Sequence, residues 1–308
     1  MEATLLSHIA IGCANTLLVL ALAPLGEGLL RRVTAILQSR RGPPLHQSYL
    51  DLLKLLGKED LESGECPVLQ RIASRLSFAA VLAVCWFVPM GGPAPLGGSS
   101  DVVMLIYLLT LCGIGTMLAG LTAGSPFSLL GVNREMMCML TLEPLLAIAL
   151  LIGATHSGSL GLDSVLSGSA FANSQAPWSG VLMLVLMVLA LPAFAQRVPF
   201  DVAEAETEIM SGSLAEYSGP KLALFKYSQM IRLVVYCGLF VALFVPWGGD
   251  LAFPLGWLIF WAKLAAMLLF VTIVAATHVR YRVDQTVRYF AGFLVLGAGA
   301  LALAVYGF

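Results

Sequence analysis

Long apolar runs, separated by short polar stretches, cover most of this chain. A helix needs about 20 apolar residues to cross a bilayer, within a range of about 17–25. Most of the runs are uncharged, and the run over 251–279 is interrupted only by Lys263. The pattern predicts an all-α integral membrane protein with eight transmembrane helices, near 8–30, 73–90, 102–121, 136–155, 180–196, 231–247, 255–278 and 288–306.

Positive charges fall on one side of this predicted bundle, which we expect to form a single domain over residues 1–308. The loops after the second, fourth and sixth spans hold no Lys or Arg. The opposite side holds or borders all of the 17 positive charges except Lys263, with Arg232 among those at a span border. By the positive-inside rule that side is cytoplasmic, so both termini are predicted to face outward.

The first long cytoplasmic loop, over 31–72, has the pattern of an amphipathic helix. Five residues share an apolar stripe, and these are Leu45, Tyr49, Leu52, Leu53 and Leu56. The opposite face is polar and consists of Gln47, Ser48, Asp51, Lys54 and Lys58. We expect this helix to lie at the membrane interface. Three roles are open for the basic turn over 40–43 that precedes it, namely contact with lipid headgroups, with a partner or with the acidic loop.

The second long cytoplasmic loop, over 197–230, is strongly acidic. It holds five of the 18 acidic residues, which are Asp201, Glu204, Glu206, Glu208 and Glu216. Pro199 suits the first turn of a helix, and a helix starting there would put Asp201, Glu204 and Glu208 on one face. Carboxylates on a shared face raise each other's proton affinity and titrate together. The pattern predicts a short acidic helical loop that passes protons, with a solvated acidic helix as the alternative.

Two ionisable residues lie deep inside predicted spans. Glu143 is followed by Pro144, which removes a backbone hydrogen bond and can open a kink beside the carboxyl group. Lys263 stands in the middle of its span. An ionisable residue inside the membrane indicates a functional site by default. The alternative for both residues is a structural ion pair or a contact with a neighbouring subunit.

Composition narrows the class of protein further. The chain is 59% hydrophobic and 11% charged, its mean hydropathy is +0.89, and its net charge of −1 gives no indication of nucleic-acid binding. Its first residues lack the features of a signal or transit peptide, so we expect the first apolar run to be retained. The six cysteines form no CxxC pair and the four histidines are scattered. We therefore expect no metal site in this chain.

Four segments in order resemble one known family of membrane subunits. They are SRRGPP, YLDLLKLLGKED, PFDVAEAETEIMSGSLAEYSGPKLALF and VRYRVDQTVRY. They are similar to the subunit that anchors the peripheral arm in respiratory complex I and in energy-converting hydrogenases, and the resemblance covers nearly the full chain. It implies eight spans with both termini outside.

Departures from the complex I pattern favour one branch of the family. Complex I usually has Asn where this chain has Pro44, and a longer polar run where this chain reads AQRVPFD. The loop GLTAGSPFSLLGVNRE is similar instead to that of group 4 nickel–iron hydrogenases and formate hydrogenlyases. The resemblance thus implies a membrane subunit of an energy-converting hydrogenase, which couples hydrogen chemistry to proton or sodium translocation.

The resemblance also implies roles for individual residues. The five acids of the loop would line the entrance of a proton path, with Glu143 on the same route and Lys263 as a further candidate. The interface with the redox arm would include Arg40, Arg41, Gly42, Asp51, Lys54, Lys58 and Glu59. The nickel–iron centre and the iron–sulfur clusters would lie in partner subunits, and this chain would carry no cofactor.

The same resemblance implies partners and a location. The partners would be the large subunit and the small, iron–sulfur subunit of a hydrogenase, together with antiporter-like membrane subunits. The chain would lie in the lipid bilayer of a prokaryotic inner membrane. The corresponding subunit of a quinone reductase is the second hypothesis. A free-standing secondary transporter is a third, and the absence of self-similar halves argues against it. A purely structural anchor is a fourth.

Overall fold

The computed structural model describes residues 2–61, 66–92, 94–167, 169–171, 178–248, 251 and 254–307. Among these residues the structure is helical and contains no β-strand, which confirms the predicted fold class. The helices are α1 (Glu2–Leu37), α2 (Gln47–Leu56), α3 (Pro67–Val84), α4 (Val102–Thr122), α5 (Pro126–Ser157), α6 (Leu162–Leu166), α7 (Trp178–Phe194), α8 (Glu206–Ile209), α9 (Gly219–Phe244), α10 (Leu255–Thr277) and α11 (Val283–Val305).

Seven of these helices are long and apolar enough to cross a membrane, namely α1, α3, α4, α5, α9, α10 and α11. Helix α7 has 17 residues, which is the lower limit for a span, and it is equally apolar. Each of the eight overlaps one predicted span, so the chain is a multi-pass membrane protein. The predicted starts at residues 136 and 231 were wrong, because α5 begins ten residues earlier, at Pro126, and α9 begins twelve residues earlier, at Gly219.

Helix α9 lies at the centre of the bundle. It packs against α1, α2, α3, α7 and α10, and nearly all of its apolar residues are buried. Phe225, Ile231 and Phe244 are among the largest fully buried side chains. In contrast, most residues of α10 and α11 are partly or fully exposed, as expected for helices that face lipid. The buried polar side chains of α9, which are Lys221, Ser228 and Arg232, are therefore held away from lipid and water by the surrounding helices.

Helix α2 packs differently from its predicted orientation. It contacts α1 and α9 through Ser48 and Leu52, which are both buried, while Leu53 and Leu56 are more than half exposed. The assignment of Ser48 to the solvated face was therefore wrong. The segment before α2 also approaches α1 closely, since an added Cβ at Gly28 would lie 2.1 Å from the carbonyl oxygen of Leu45.

The acidic loop does not form the predicted helix from Pro199. Residues 197–205 are turns, and α8 is a single four-residue turn. Phe200 packs in an aromatic cluster with Tyr281 and Phe290, and the carbonyl oxygen of Pro199 accepts a hydrogen bond from the Tyr281 amide at 2.9 Å. These tertiary contacts replace local helical hydrogen bonds. The prediction that Asp201, Glu204 and Glu208 share one helix face was therefore wrong.

Candidate functional site

A partly open cavity of about 50 Å³ lies between α5, α9, the end of α7 and the turns over 197–205. Four carboxylates and one guanidinium line it. We call it the acidic cavity, and its charged residues are Glu135, Glu143, Asp201, Glu204 and Arg232. The structure thus brings together three of the predicted acids, Glu143, Asp201 and Glu204, although they come from distant parts of the chain.

Glu135 lies inside the cavity, although the sequence analysis did not select it. The predicted span began at residue 136 and left this acid in a cytoplasmic loop, whereas α5 begins at Pro126 and buries Glu135 to 6% exposure. Its carboxylate accepts a hydrogen bond from the side-chain amide of Gln196. The SPF sequence before α5 could have revealed it, because Ser followed by Pro is a common helix start.

Glu143 connects the cavity to the outer surface of the bundle. It lies about two helical turns beyond Glu135 on α5, which corresponds to about 12 Å along the helix axis. It lines the acidic cavity and also an open groove between α4 and α5, together with Tyr107 and Met139. A proton that reached Glu143 from inside the cavity would therefore have access to the outer face of these two helices.

Arg232 is the positive charge of the acidic cavity. It is 6% exposed and lies on the central helix α9, so its position at a cytoplasmic loop border was predicted wrongly. A buried charge is costly unless opposite charges compensate it. The carboxylates of the cavity supply that compensation, and the guanidinium in turn favours the ionised form of the acids around it.

Asp201 lies at the end of the cavity that is formed by the acidic loop. Its Oδ2 accepts a hydrogen bond from Arg280 Nη2 at 2.9 Å, and its Oδ1 is buried with no hydrogen-bond donor among the described residues. Burial and the nearby Glu204 raise the pKa of Asp201 to about 6, although Arg280 opposes the rise. This carboxyl group therefore binds and releases protons closer to neutral pH than an exposed aspartate does.

Glu204 is held against α9 by two polar side chains. Lys226 Nζ lies 3.4 Å from one carboxylate oxygen of Glu204, and the side-chain amide of Gln229 donates a hydrogen bond to the other. On α9, Gln229 lies about one helical turn before Arg232, and Lys226 lies about two turns before it. The central helix thus positions the turn that carries the acids over the cavity.

The other three acids of the loop are not among the described residues that line the cavity. Glu208 is half exposed and forms an ion pair with Arg134 at 2.6 Å. Glu216 is exposed. Glu206 begins α8, but its side chain lies outside the part of the chain that the structure describes. The predicted role of these three residues stays a prediction.

A chain of ion pairs joins α2 to the acidic loop. Asp51 on α2 accepts a hydrogen bond from Arg31 Nη1 at 2.7 Å, and Arg31 Nε lies 3.3 Å from Glu27 on α1. The other oxygen of the buried Glu27 carboxylate pairs with Arg197, at the start of the acidic loop. Partial burial alone would raise the pKa of Asp51, but the hydrogen bonds from Arg31 and Gln47 lower it overall.

Lys263 lies apart from the acidic cavity. Its ammonium group donates hydrogen bonds to the carbonyl oxygens of Val245, at 2.8 Å, and Trp247. These residues directly follow α9, so Lys263 caps the carbonyl end of the central helix. No acid among the described residues pairs with it, and its predicted place on a proton path stays a prediction.

The residues predicted for the arm interface lie on the same side of the bundle. Arg40, Arg41, Lys54, Lys58 and Glu59 are exposed. Gly42 lies tightly against α1, where an added Cβ would be 3.0 Å from the Cα of Arg32. The described part of the chain holds no group of three or more His, Cys, Asp or Glu side chains that could bind a metal ion.

Comparisons with known proteins place this architecture in a family. The profile of the NADH dehydrogenase family matches residues 9–306. The chain belongs to this family. It is 35% identical over 240 residues to hydrogenase-4 component C of Escherichia coli, which covers 76% of this chain and 75% of that protein.

Two further relatives mark the two branches of the NADH dehydrogenase family that the sequence indicated. Formate hydrogenlyase subunit 4 of Escherichia coli is 31% identical and covers 91% of this chain and 93% of its own length. NADH-quinone oxidoreductase subunit 8 of Thermus thermophilus is 31% identical over 283 residues and covers 86% of this chain and 76% of its own length. The predicted resemblance is thereby confirmed.

A solved structure shares the fold of this family member. It is a chain of the membrane-bound sulfane sulfur reductase, an archaeal respiratory membrane complex, with a TM-score of 0.85 and 23% identity. The match covers 98% of this chain and 99% of the other. Relatives and structure together describe membrane subunits of oxidoreductase complexes.

Proposed function

We propose that this chain is the membrane subunit of an energy-converting hydrogenase of group 4, which anchors the redox arm and couples its chemistry to proton or sodium translocation. The similarity to hydrogenase-4 component C and to formate hydrogenlyase subunit 4 supports this branch. The observation that carries the coupling role is the acidic cavity, because two carboxylates from α5 and two from the acidic loop line one space inside the bundle.

The proposed proton path runs through the acidic cavity from the loop to the outer face of α4 and α5. Asp201 and Glu204 take up protons at the cytoplasmic end, Glu135 holds them in the interior, and Glu143 passes them toward the groove. Neighbouring carboxylates raise each other's proton affinity, whereas Arg232 lowers it. A movement of Arg232 or of the acidic loop would therefore shift protons between these acids.

The arm reaches this path through the ion pairs from Asp51 to Arg197. The arm interface is formed by α2 and its flanks, with Gly42, Asp51, Lys54, Lys58 and Glu59 from the predicted set, while Arg40 and Arg41 lie at its edge. A displacement of α2 would act on Arg31 and Glu27, and Glu27 holds the first residue of the acidic loop. This connection gives a physical route from redox events in the arm to protonation in the cavity.

The partners in this proposal are the large and small hydrogenase subunits and antiporter-like membrane subunits. The large and small hydrogenase subunits carry the nickel–iron centre and the iron–sulfur clusters, while this chain binds and moves protons. The complex lies in the cytoplasmic membrane of a prokaryote, with the acidic loop on the cytoplasmic side and both termini outside. The clustering of Lys and Arg supports that orientation.

The test uses the complete complex in proteoliposomes and measures hydrogen evolution and internal pH together. We expect Glu135→Gln and Glu143→Gln each to lower proton translocation by more than about ten-fold while hydrogen evolution continues. The control is Asp284→Asn, which removes an exposed carboxylate at the start of α11, outside the acidic cavity, and should leave both rates unchanged. Intact translocation in Glu135→Gln and Glu143→Gln would show that the subunit is a structural anchor.

The second candidate function is the corresponding subunit of a quinone reductase. It is favoured by the 31% identity to NADH-quinone oxidoreductase subunit 8, which covers most of both chains. A photoreactive quinone analogue that labels this chain in the complex, with quinone reduction in place of hydrogen evolution, would support it. Hydrogen evolution without such labelling would exclude it.

A further inference from the structure

An open groove of about 400 Å³ lies between the cytoplasmic ends of α1 and α10 and the basic turn over 40–43. Its charged side chains are four arginines and one glutamate. We call it the arginine groove, and its charged residues are Glu27, Arg31, Arg40, Arg41 and Arg197. The groove shares none of its lining residues with the acidic cavity.

The charges of the arginine groove are only partly compensated within the chain. Arg31 and Arg197 both pair with Glu27, and Arg31 also pairs with Asp51. Arg40 donates to the neutral side chain of Gln38. Across the described residues, neither Arg40 nor Arg41 forms an ion pair. Two exposed guanidinium groups are therefore available to an anion, and the guanidinium fork matches phosphate oxygens.

The remaining surface of the groove is mostly apolar, with Thr34 and Thr272 as its uncharged polar residues. Leu30 and Val271 are buried beneath it, and Ala35 and Ala275 line it on the α1 and α10 sides. This surface lies within the last turns of two membrane-spanning helices, so it continues toward the hydrocarbon region. A ligand that fits the groove would carry a negative phosphate at the level of the basic turn and a hydrocarbon chain beside the helices.

We propose that the arginine groove binds an anionic phospholipid of the cytoplasmic leaflet. The phosphodiester lies between Arg40 and Arg41, and one acyl chain follows the seam between α1 and α10. Basic pockets between transmembrane helices on the cytoplasmic side are suited to anionic headgroups. The proposal is independent of hydrogenase or quinone chemistry, and it assigns Arg40 and Arg41 to lipid rather than to the arm interface.

The test measures lipid binding to the delipidated full chain by native mass spectrometry. The probes are dioleoylphosphatidylglycerol and, as the zwitterionic comparison, dioleoylphosphatidylethanolamine. The double variant Arg40→Ala/Arg41→Ala should bind the anionic lipid about 30-fold more weakly, since each basic residue near the membrane surface contributes about a five-fold factor. The matched control, Lys54→Ala/Lys58→Ala, removes two exposed charges from α2 and the residues just after it, and should change binding by less than about three-fold.

Three results of the lipid-binding measurement would overturn the proposal. One is equal binding of the two lipids, and another is an equal loss in the double variant and its control. The third is saturation of the groove by inorganic phosphate in competition with the lipid, which would indicate a site for small anions. A photoreactive phosphatidylglycerol applied to the complete complex supports the proposal if it labels the ends of α1 and α10. A crosslink between Arg40 or Arg41 and an arm subunit would instead place these residues at the arm interface and contradict the proposal.

Discussion

The acidic cavity and the arginine groove have nearly opposite charge patterns. The cavity gathers four carboxylates around one arginine, whereas the groove gathers four arginines around one glutamate. The cavity is small and lies between α5, α7 and α9, while the groove is wider and lies between α1 and α10. Burial raises the cost of a negative charge and favours proton binding, as at Asp201, while Arg40 and Arg41 are exposed and can meet an anion.

Arg197 connects the two regions. It lines the groove, where it pairs with Glu27 on α1, and the preceding residue, Gln196, lines the cavity. A change at the groove can therefore reach the turns that carry Asp201 and Glu204.

The largest effect is expected for Glu27→Gln. Removal of the buried carboxylate leaves Arg31 and Arg197 without their shared partner, so the free energy of unfolding should fall by about 4 kcal/mol. Reversible unfolding of the purified chain in mixed micelles measures this change. The matched control is Asp51→Asn, which breaks the more exposed pair with the same arginine and should cost less than about 1 kcal/mol. Equal losses would mean that Glu27 does not join the two regions.

The next effect concerns the pH dependence of Asp201. Its pKa is raised from 3.8 to about 6 in the folded chain, so the stability that this group contributes is present below pH 4 and lost as the pH rises through 6. Between pH 4 and pH 7 the wild type should lose about 3 kcal/mol relative to Asp201→Asn. Unfolding midpoints at several pH values give this difference. A difference that does not vary with pH would contradict the protonation assigned to the cavity.

A smaller effect is expected where the acidic loop packs against α5. An added Cβ at Gly131 would lie 2.6 Å from the backbone nitrogen of Ser213. Gly131→Ala should push the loop outward, cost about 2 kcal/mol and slow proton translocation. The control is Gly292→Ala on α11, where nothing lies within 4 Å of the added atom. Unchanged translocation in Gly131→Ala would show that the position of the loop does not control the path.

The smallest effect is expected for Lys263→Met, which lies outside both regions. Loss of the hydrogen bonds to the carbonyls of Val245 and Trp247 should fray the end of α9 and cost about 1 kcal/mol. Hydrogen exchange of the last turn of α9 reports the fraying. Loss of proton translocation without fraying would instead place Lys263 on the proton path, as the sequence analysis suggested.

The sequence by itself determined the fold class and most of the membrane-spanning helices. Apolar runs of 17 or more residues have one stable arrangement in a bilayer, so their positions could be read directly. The acids of the loop and Glu143 were also evident, because charge is rare and costly in such a chain. Family membership followed from four ordered motifs, and the comparisons confirm it.

Only the tertiary structure decided which of these charges meet. Asp201 and Glu204 were expected to share a helix face with Glu208, but the aromatic contacts of Phe200 and the pair with Arg280 hold 197–205 in turns. The burial of other charges, including Glu27, was not predicted, because a single charge at the edge of an apolar run has the pattern of a loop residue. Their burial depends on helices that are distant in sequence, and hydropathy reports only the residues next to each other in the chain.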